Sequence, residues 1–417
     1  MKPVIGPAAE RYSLIDALRG FAIFGIFGIN MMASSLYGFA PDAEAWGRIG
    51  KADGLFEIFL KAIIEGKFYT IFSLLFGLGF GLQMQKFKES SVGGMPVFKR
   101  RLWGMLLIGL LHMLLLWLGD IIFLYAWLGF VLILFRSKSD RFLLRTAFLC
   151  LLLPVLLYPL RFIDTNITLG IPFYAMAVGV GNVFGIDIMN MNPIQMYNQT
   201  GIGAFFKTNI LGFFFRQGDL FDQVRPFKVF AVLLLGLWVA RHRWYVNPTL
   251  FLDAFKKYFL WVLPLAILIN IAMAYLSWDG YYSGNMVGWV KTVLYFLGVV
   301  PLSLCYVYGF TSMYVSGKYR WMRAFTYVGR MALTNYIFQS LIYVVLFRGS
   351  FLGLAGQVGP LYSMVPVLVI FPLQVWASKC WLERYRFGPL EWAWRSMTYG
   401  KWQSIKRVQD FNAAAIL

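Results

Sequence analysis

Residues Arg101–Arg136 read RLWGMLLIGLLHMLLLWLGDIIFLYAWLGFVLILFR, two apolar runs that meet at Gly119 and Asp120. Between the flanking arginines, the side chains that readily move a proton are His112, Asp120 and Tyr125. The length of apolar sequence makes this a membrane hairpin. A histidine within such a run is costly without a partner. His112 is therefore either a base with a task or a packing residue whose polarity is satisfied. Asp120 lies eight residues beyond it, about 12 Å along an ideal helix. A direct His112–Asp120 pair then requires the chain to fold back at Gly119. The other candidate partners are Asn30, Tyr125 and the acids between 216 and 228.

The rest of the chain has the same character. It holds 417 residues, 59% hydrophobic and 14% charged, which excludes an ordinary soluble globular protein and predicts an all-α polytopic transmembrane bundle. On a requirement of roughly 20 apolar residues per span, about ten spanning helices are expected, near 14–35, 68–85, 102–118, 120–136, 142–161, 227–241, 258–278, 288–314, 329–347 and 361–379. Most of the 38 Lys and Arg residues fall in alternate connections, as membrane orientation requires, and both termini are expected in the cytoplasm. This clustering is not a phosphate-backbone surface, so nucleic acid is not an expected partner. The chain reads as a single integral membrane domain, 1–417. Within it, 162–226 is too short-pieced for ordinary spans and is expected as an outer or re-entrant segment, and 381–417 as a cytoplasmic interfacial tail.

Further polar residues inside apolar runs are candidates for a site. In the first run, Asp16 and Arg19 lie three apart on one face. The planar Arg19 fork suits a carboxylate or phosphate, or the two form an ion pair that anchors the helix. Asn30 follows roughly 16 Å further along. In the ninth run, Asn335 and Gln339 are four apart, either binding a neighbouring helix or lining a polar path. Gly77, Gly79 and Gly81 suit close helix packing. Arg216, Asp219, Asp222, Arg225 and Lys228 form a mixed cluster that guards an entrance or is a solvated rim. His242, between arginines, reads as a loop histidine. The three cysteines read as packing residues, and two distant histidines with isolated cysteines make no metal site.

Five motifs in order carry a family resemblance: SLIDALRGFAIFGIFGINMM (13–32), FSLLFGLGFGL (72–82), the hairpin above, GRMALTNYIFQSL (329–341) and FGPLEWAWRSMTYG (387–400). Together they resemble the YeiB-like DUF418 family of bacterial inner-membrane proteins, which implies that localisation. The LRG start is more distantly similar to transmembrane acyltransferases, the acyltransferase-3 and heparan-α-glucosaminide N-acetyltransferase groups. Acyltransferase-3 enzymes have an arginine, ten residues and a histidine; here Arg19 is matched and Asn30 takes the histidine position. The glucosaminide acetyltransferases have asparagine there and a histidine soon after, whereas residues 31–60 hold none. The resemblance thus passes the base role to His112.

The expected activity is transfer of an acyl group from a cytoplasmic thioester, such as acyl-CoA, to an extracytoplasmic hydroxyl or amine. Arg19 and neighbouring inner basic residues would hold the donor's phosphates, His112 act as base, Asp120 orient it and Asn30 polarise the carbonyl; Asp16, Tyr125, Asn335 and Gln339 would complete the substrate-binding set. The alternatives are a transporter of a small organic or peptide substrate, with His112 relaying protons, and a non-catalytic membrane partner.

Overall fold

The computed structural model describes residues 8–39, 51–89, 94–188, 190–276 and 284–407. Among these residues the chain is helical, with one isolated β-bridge, Tyr385 to Lys406. The first half comprises α1 (Ala8–Ser34), α2 (Lys51–Ile63), α3 (Lys67–Glu89), α4 (Gly94–Leu115), α5 (Ile122–Ile133), α6 (Asp140–Leu157) and α7 (Ile171–Phe184). The second comprises α8 (Ile202–Asp222), α9 (Arg225–Arg241), α10 (Pro248–Tyr275), α11 (Met286–Val315), α12 (Phe325–Arg330), α13 (Ala332–Phe347), α14 (Val365–Arg384) and α15 (Pro389–Tyr399). Short helical turns link some of them.

Each of the ten apolar segments read from the sequence falls on a helix, but not every helix can cross a membrane unaided. Among the described residues, length and composition qualify five, on α1, α6, α10, α11 and α14, or up to seven if each of two bent pairs is one span. The reasons are local. Helix α5 has twelve residues, about 18 Å of rise against a hydrocarbon core of about 30 Å. Helix α4 carries Lys99, Arg100 and Arg101 within its first turns. The outward side chains of α10, such as Leu260, Trp261, Leu265 and Leu268, are exposed. An apolar exterior of this kind belongs in lipid.

The bent pairs have identifiable causes. Helices α8 and α9 meet at 68°, where Val224 is left-handed (φ 51°) and Pro226 opens the next helix. Thus 162–226, expected as short pieces, holds the 21-residue α8, packed on α7. The second bend, 83°, separates the segment Arg320–Arg330 from α13. Its far side is held by the tail: Glu391 of α15 accepts the N–H groups of Leu333 (2.6 Å) and Thr334 (3.1 Å) and the Thr334 hydroxyl (2.6 Å). A carboxylate at these first-turn donors satisfies groups that the helix itself cannot.

The centre of the bundle is α3 against α9. A Cβ on Gly77 would lie 2.1 Å from the Leu233 carbonyl oxygen, and one on Gly236 2.2 Å from that of Leu74. Backbones this close exclude any side chain, which is how small residues hold membrane helices together. Gly77→Ala is therefore expected to lower the melting temperature of the detergent-solubilised protein, at a cost of about 1–3 kcal/mol. Gly309→Ala, where a Cβ meets nothing within 4 Å, is expected to leave it unchanged. Equal melting temperatures for the two variants would contradict the packing described.

Candidate functional site

Helix α4 stops at Leu115, and the stop brings the hairpin's two polar residues together. The N–H groups of Leu116 (3.0 Å) and Trp117 (2.9 Å) both donate to the His112 carbonyl, closing the last turn. Gly119 leaves room for the Trp117 ring, which a Cβ there would meet at 2.1 Å. The chain reverses, and Asp120 returns to place Oδ1 2.9 Å from His112 Nδ1, with the two side chains 1% and 0% exposed. Asp120 Oδ2 accepts the N–H of Phe123 at 2.6 Å, so the start of α5 holds the carboxylate in place. With Nδ1–H donating to Asp120, the lone pair lies on Nε2, which has no hydrogen-bond partner among the described residues. A carboxylate-oriented imidazole with a bare second nitrogen is the arrangement of a general base.

A cavity of about 660 Å³ approaches this pair from the side of the bundle where Arg19 lies. Helices α1, α3, α4, α5, α13 and α15 wall it. One end is charged: Arg19, Arg101, Arg330, Arg386 and Arg395 line it, against the carboxylates of Asp16 and Glu391. The bore beyond is apolar, with Phe72, Phe76, Leu102, Met105 and Ile122, and reaches Tyr125 and Tyr336. Tyr336 stands between bore and base. Its ring centroid is 5.3 Å from that of His112, and its hydroxyl donates to the Gly119 carbonyl at 3.3 Å.

The tail completes the charged end. Trp394 donates its indole N–H to the Arg101 carbonyl (2.9 Å), and the Arg101 guanidinium lies 3.8 Å over the Trp394 ring. The tail helix is thus a wall of the cavity as well as a surface element. Burial pushes the Glu391 carboxyl above the usual glutamate range, against the hydrogen bonds from Thr334 and Leu333 that favour its charged form.

The residues singled out from the sequence divide into two groups. Asp16 and Arg19 both line the cavity and are paired at 2.8 Å. Tyr125 lines it too, stacked between Phe72 and Phe76, with its hydroxyl 2.8 Å from Ser73 Oγ and donating to the Tyr69 carbonyl at 3.2 Å. His112 and Asp120 sit behind Tyr336. Asn30 does not line the cavity; it lies next to Tyr343. Asn335 donates to Ser378 Oγ (3.0 Å), Gln339 to Gln374 Oε1 (2.9 Å), and Gln374 back to the Asn335 carbonyl (3.1 Å), a ladder that ties α13 to α14. Sequence reasoning passed over Tyr336, Glu391 and Trp394, and placed Arg101 only among the inner basic residues. Tyr336 adjoins Asn335 in a helix already marked as polar, and Glu391 is the single acid within the aromatic FGPLEWAWRSMTYG stretch.

These features define a polytopic helical membrane protein with a charged-mouthed internal cavity and a buried His–Asp pair. The chain belongs to the DUF418 family. A family model described as a protein of unknown function (DUF418) matches residues 239–401. Across nearly the whole chain it is similar to the uncharacterized protein YxaH of Bacillus subtilis (strain 168), 30% identical over 95% of this chain and 96% of YxaH. The uncharacterized protein YeiB of Escherichia coli (strain K12) is 26% identical over 93% of this chain and 96% of its own length. An uncharacterized 39.9 kDa protein of Bacillus acidopullulyticus is 26% identical over 94% and 95%. No solved structure matches.

The chain has two histidines, so protein carrying isotope-labelled histidine gives two imidazole signal sets in nuclear magnetic resonance, and His242→Gln assigns them. His112 is expected as the tautomer protonated on Nδ1, with Asp120→Ala removing that preference. A wild-type His112 protonated on Nε2 alone would contradict the geometry.

Proposed function

We propose that this protein is a membrane-embedded acyltransferase that moves an acyl group from a thioester such as acyl-CoA, at the cytoplasmic face of the inner membrane, to a hydroxyl or amine on the other side. The observation that carries the reading is one cavity whose five-arginine mouth leads through an apolar bore towards a carboxylate-oriented histidine. Guanidinium groups in number suit the phosphates of a coenzyme thioester, and an apolar bore suits its acyl chain. The orientation, with both termini inside, draws on the basic residues gathered at that mouth.

The chemistry follows from the positions. His112 Nε2 takes the proton of the acceptor as its oxygen or nitrogen bonds to the thioester carbonyl carbon. The tetrahedral intermediate then expels the thiolate, which receives that proton from the imidazolium. Asp120 holds the ring and balances its transient charge. Asn30 does not line the bore and lies beside Tyr343, so carbonyl polarisation falls to the Tyr336 hydroxyl at the bore's end. For the acyl carbon to meet Nε2, the Tyr336 ring turns aside.

A transporter is the second reading, and the two bent helix pairs support it, because broken helices line the substrate paths of many transporters. Sealed vesicles given labelled acyl-CoA separate the two readings: acylated product supports transfer, and a substrate that changes sides unmodified supports transport. With vesicles of native lipid as the acceptor source, His112→Ala is expected to reduce product formation about 10²–10⁴-fold. Arg101→Ala is expected to weaken acyl-CoA binding in calorimetry at least about tenfold, or ~1.4 kcal/mol. Undiminished product with His112→Ala, or no acyl-CoA binding by the wild type, would overturn the proposal.

A further inference from the structure

The bend between α8 and α9 sets a second charged region apart from the cavity. Helix α9 opens with Arg225 and Lys228 in its first turn and no acid there. Cations at that end face the positive pole of the helix, an unfavourable arrangement unless an anion is near. Lys228 is 7% exposed. Its ammonium lies 4.1 Å from the Tyr295 ring centroid, and it has no carboxylate within 4.0 Å among the described residues. Lys291 lies one turn before Tyr295 on α11, on the same helix face, and adds a third positive charge to the surroundings of Lys228.

Two of the acids nearby are otherwise engaged. Asp219 accepts from Arg216 (2.8 Å) and Gln223 (2.6 Å), and Asp222 from Arg161 and Thr168. Glu65, the third, is exposed; its charge acts on both lysines from a distance, and it forms no ion pair within 4.0 Å with either. A buried lysine without an ion-pair partner, beside two more cations, is expensive in a membrane protein. A bound anion removes that cost.

We propose that Arg225, Lys228 and Lys291 form a binding site for a phosphate-type anion at the α8–α9 bend, on the far side of Tyr125 from the cavity. Three cations suit a multiply charged oxyanion, and the start of a helix adds its dipole. The hydrogen-bonded hydroxyls of Tyr69 and Tyr295 border the site, with the Arg225 guanidinium 5.7 Å over the Tyr69 ring. Arg225, Lys291, Tyr69 and Tyr295 are each partly exposed, which leaves an approach for a ligand. The Tyr69 carbonyl accepts the Tyr125 hydroxyl, and so Tyr69 and Tyr125 link this site to the bore. The binding stands on this charge pattern and is independent of the acyl-transfer reading.

The test uses full-length protein carrying Arg101→Gln and Arg395→Gln, which weakens the cavity mouth, in nanodiscs of zwitterionic lipid; dependence on Lys228 separates the two sites. Melting temperature is followed as inorganic phosphate is added, with chloride at matched ionic strength as the control. A parallel arm replaces part of the lipid with phosphatidylglycerol. A rise in melting temperature with phosphate, weakened at least tenfold in apparent affinity by Lys228→Met, supports a site for a soluble phosphate compound. A Lys228-dependent rise with phosphatidylglycerol only supports the same site filled by a lipid headgroup. No rise in either arm, or a rise that Lys228→Met leaves unchanged, overturns the proposal. Should Lys228→Met not fold, Lys291→Gln takes its place under the same criteria. Since acyl-CoA is absent throughout, failure here leaves the acyl-transfer reading standing, and failure of that reading leaves the anion site standing.

Discussion

The bond between His112 and Asp120 sets the terms for everything around it. Neither side chain reaches water, and in such surroundings each polar group needs a partner. Their pairing explains why α4 stops where it does, why the loop carries Gly119, and why α5 begins with its first-turn N–H on the same carboxylate. The turn is therefore built around an electrostatic contact, and the hairpin's apolar sequence supplies the dry enclosure. One nitrogen of the imidazole is left over, and the proposed base role rests on it.

The second constraint is the placement of charge relative to that pair. Arginines from four parts of the chain meet at the cavity mouth: α1, α4, the α12–α13 bend and the tail. The tail is held there by two opposed contacts, Trp394 on α4 and Glu391 on α13. Both the mouth and the bend between its helices thus depend on one short helix after the last span. Loss of Glu391 would leave the first-turn donors of α13 without their acceptor, a cost of about 1–3 kcal/mol, at the point where the cavity opens.

Much of this was legible before any coordinates. Apolar runs and the scarcity of charge marked a helical membrane protein, and the polar exceptions marked Arg19, His112, Asp120 and Tyr125. Periodicity does not say whether a chain folds back on itself, so the His112–Asp120 contact depended on Gly119 and could only be posed as a condition. Asn30 looked equivalent to His112 as a buried polar group, yet its neighbour is Tyr343, because helix rise fixes depth and leaves azimuth open. Trp, Tyr and Arg favour a lipid interface and the wall of a charged cavity alike, and so composition did not separate these roles for the tail. Tyr336 was hidden for a simpler reason: a tyrosine among apolar residues has no distinguishing pattern. The span count is looser still, since α5 at twelve residues reads as a full span only when its flanks are added.

The account rests most heavily on the bore being the path to His112, and photoaffinity labelling tests that most directly. A coenzyme A thioester bearing a diazirine on its acyl chain, irradiated with the purified protein and mapped by mass spectrometry, is expected to label Phe72–Phe76, Ile121–Tyr125 or Tyr336, with labelling suppressed by unlabelled acyl-CoA. Labelling confined to outward-facing residues such as Leu260 and Trp261, and indifferent to competitor, would contradict it.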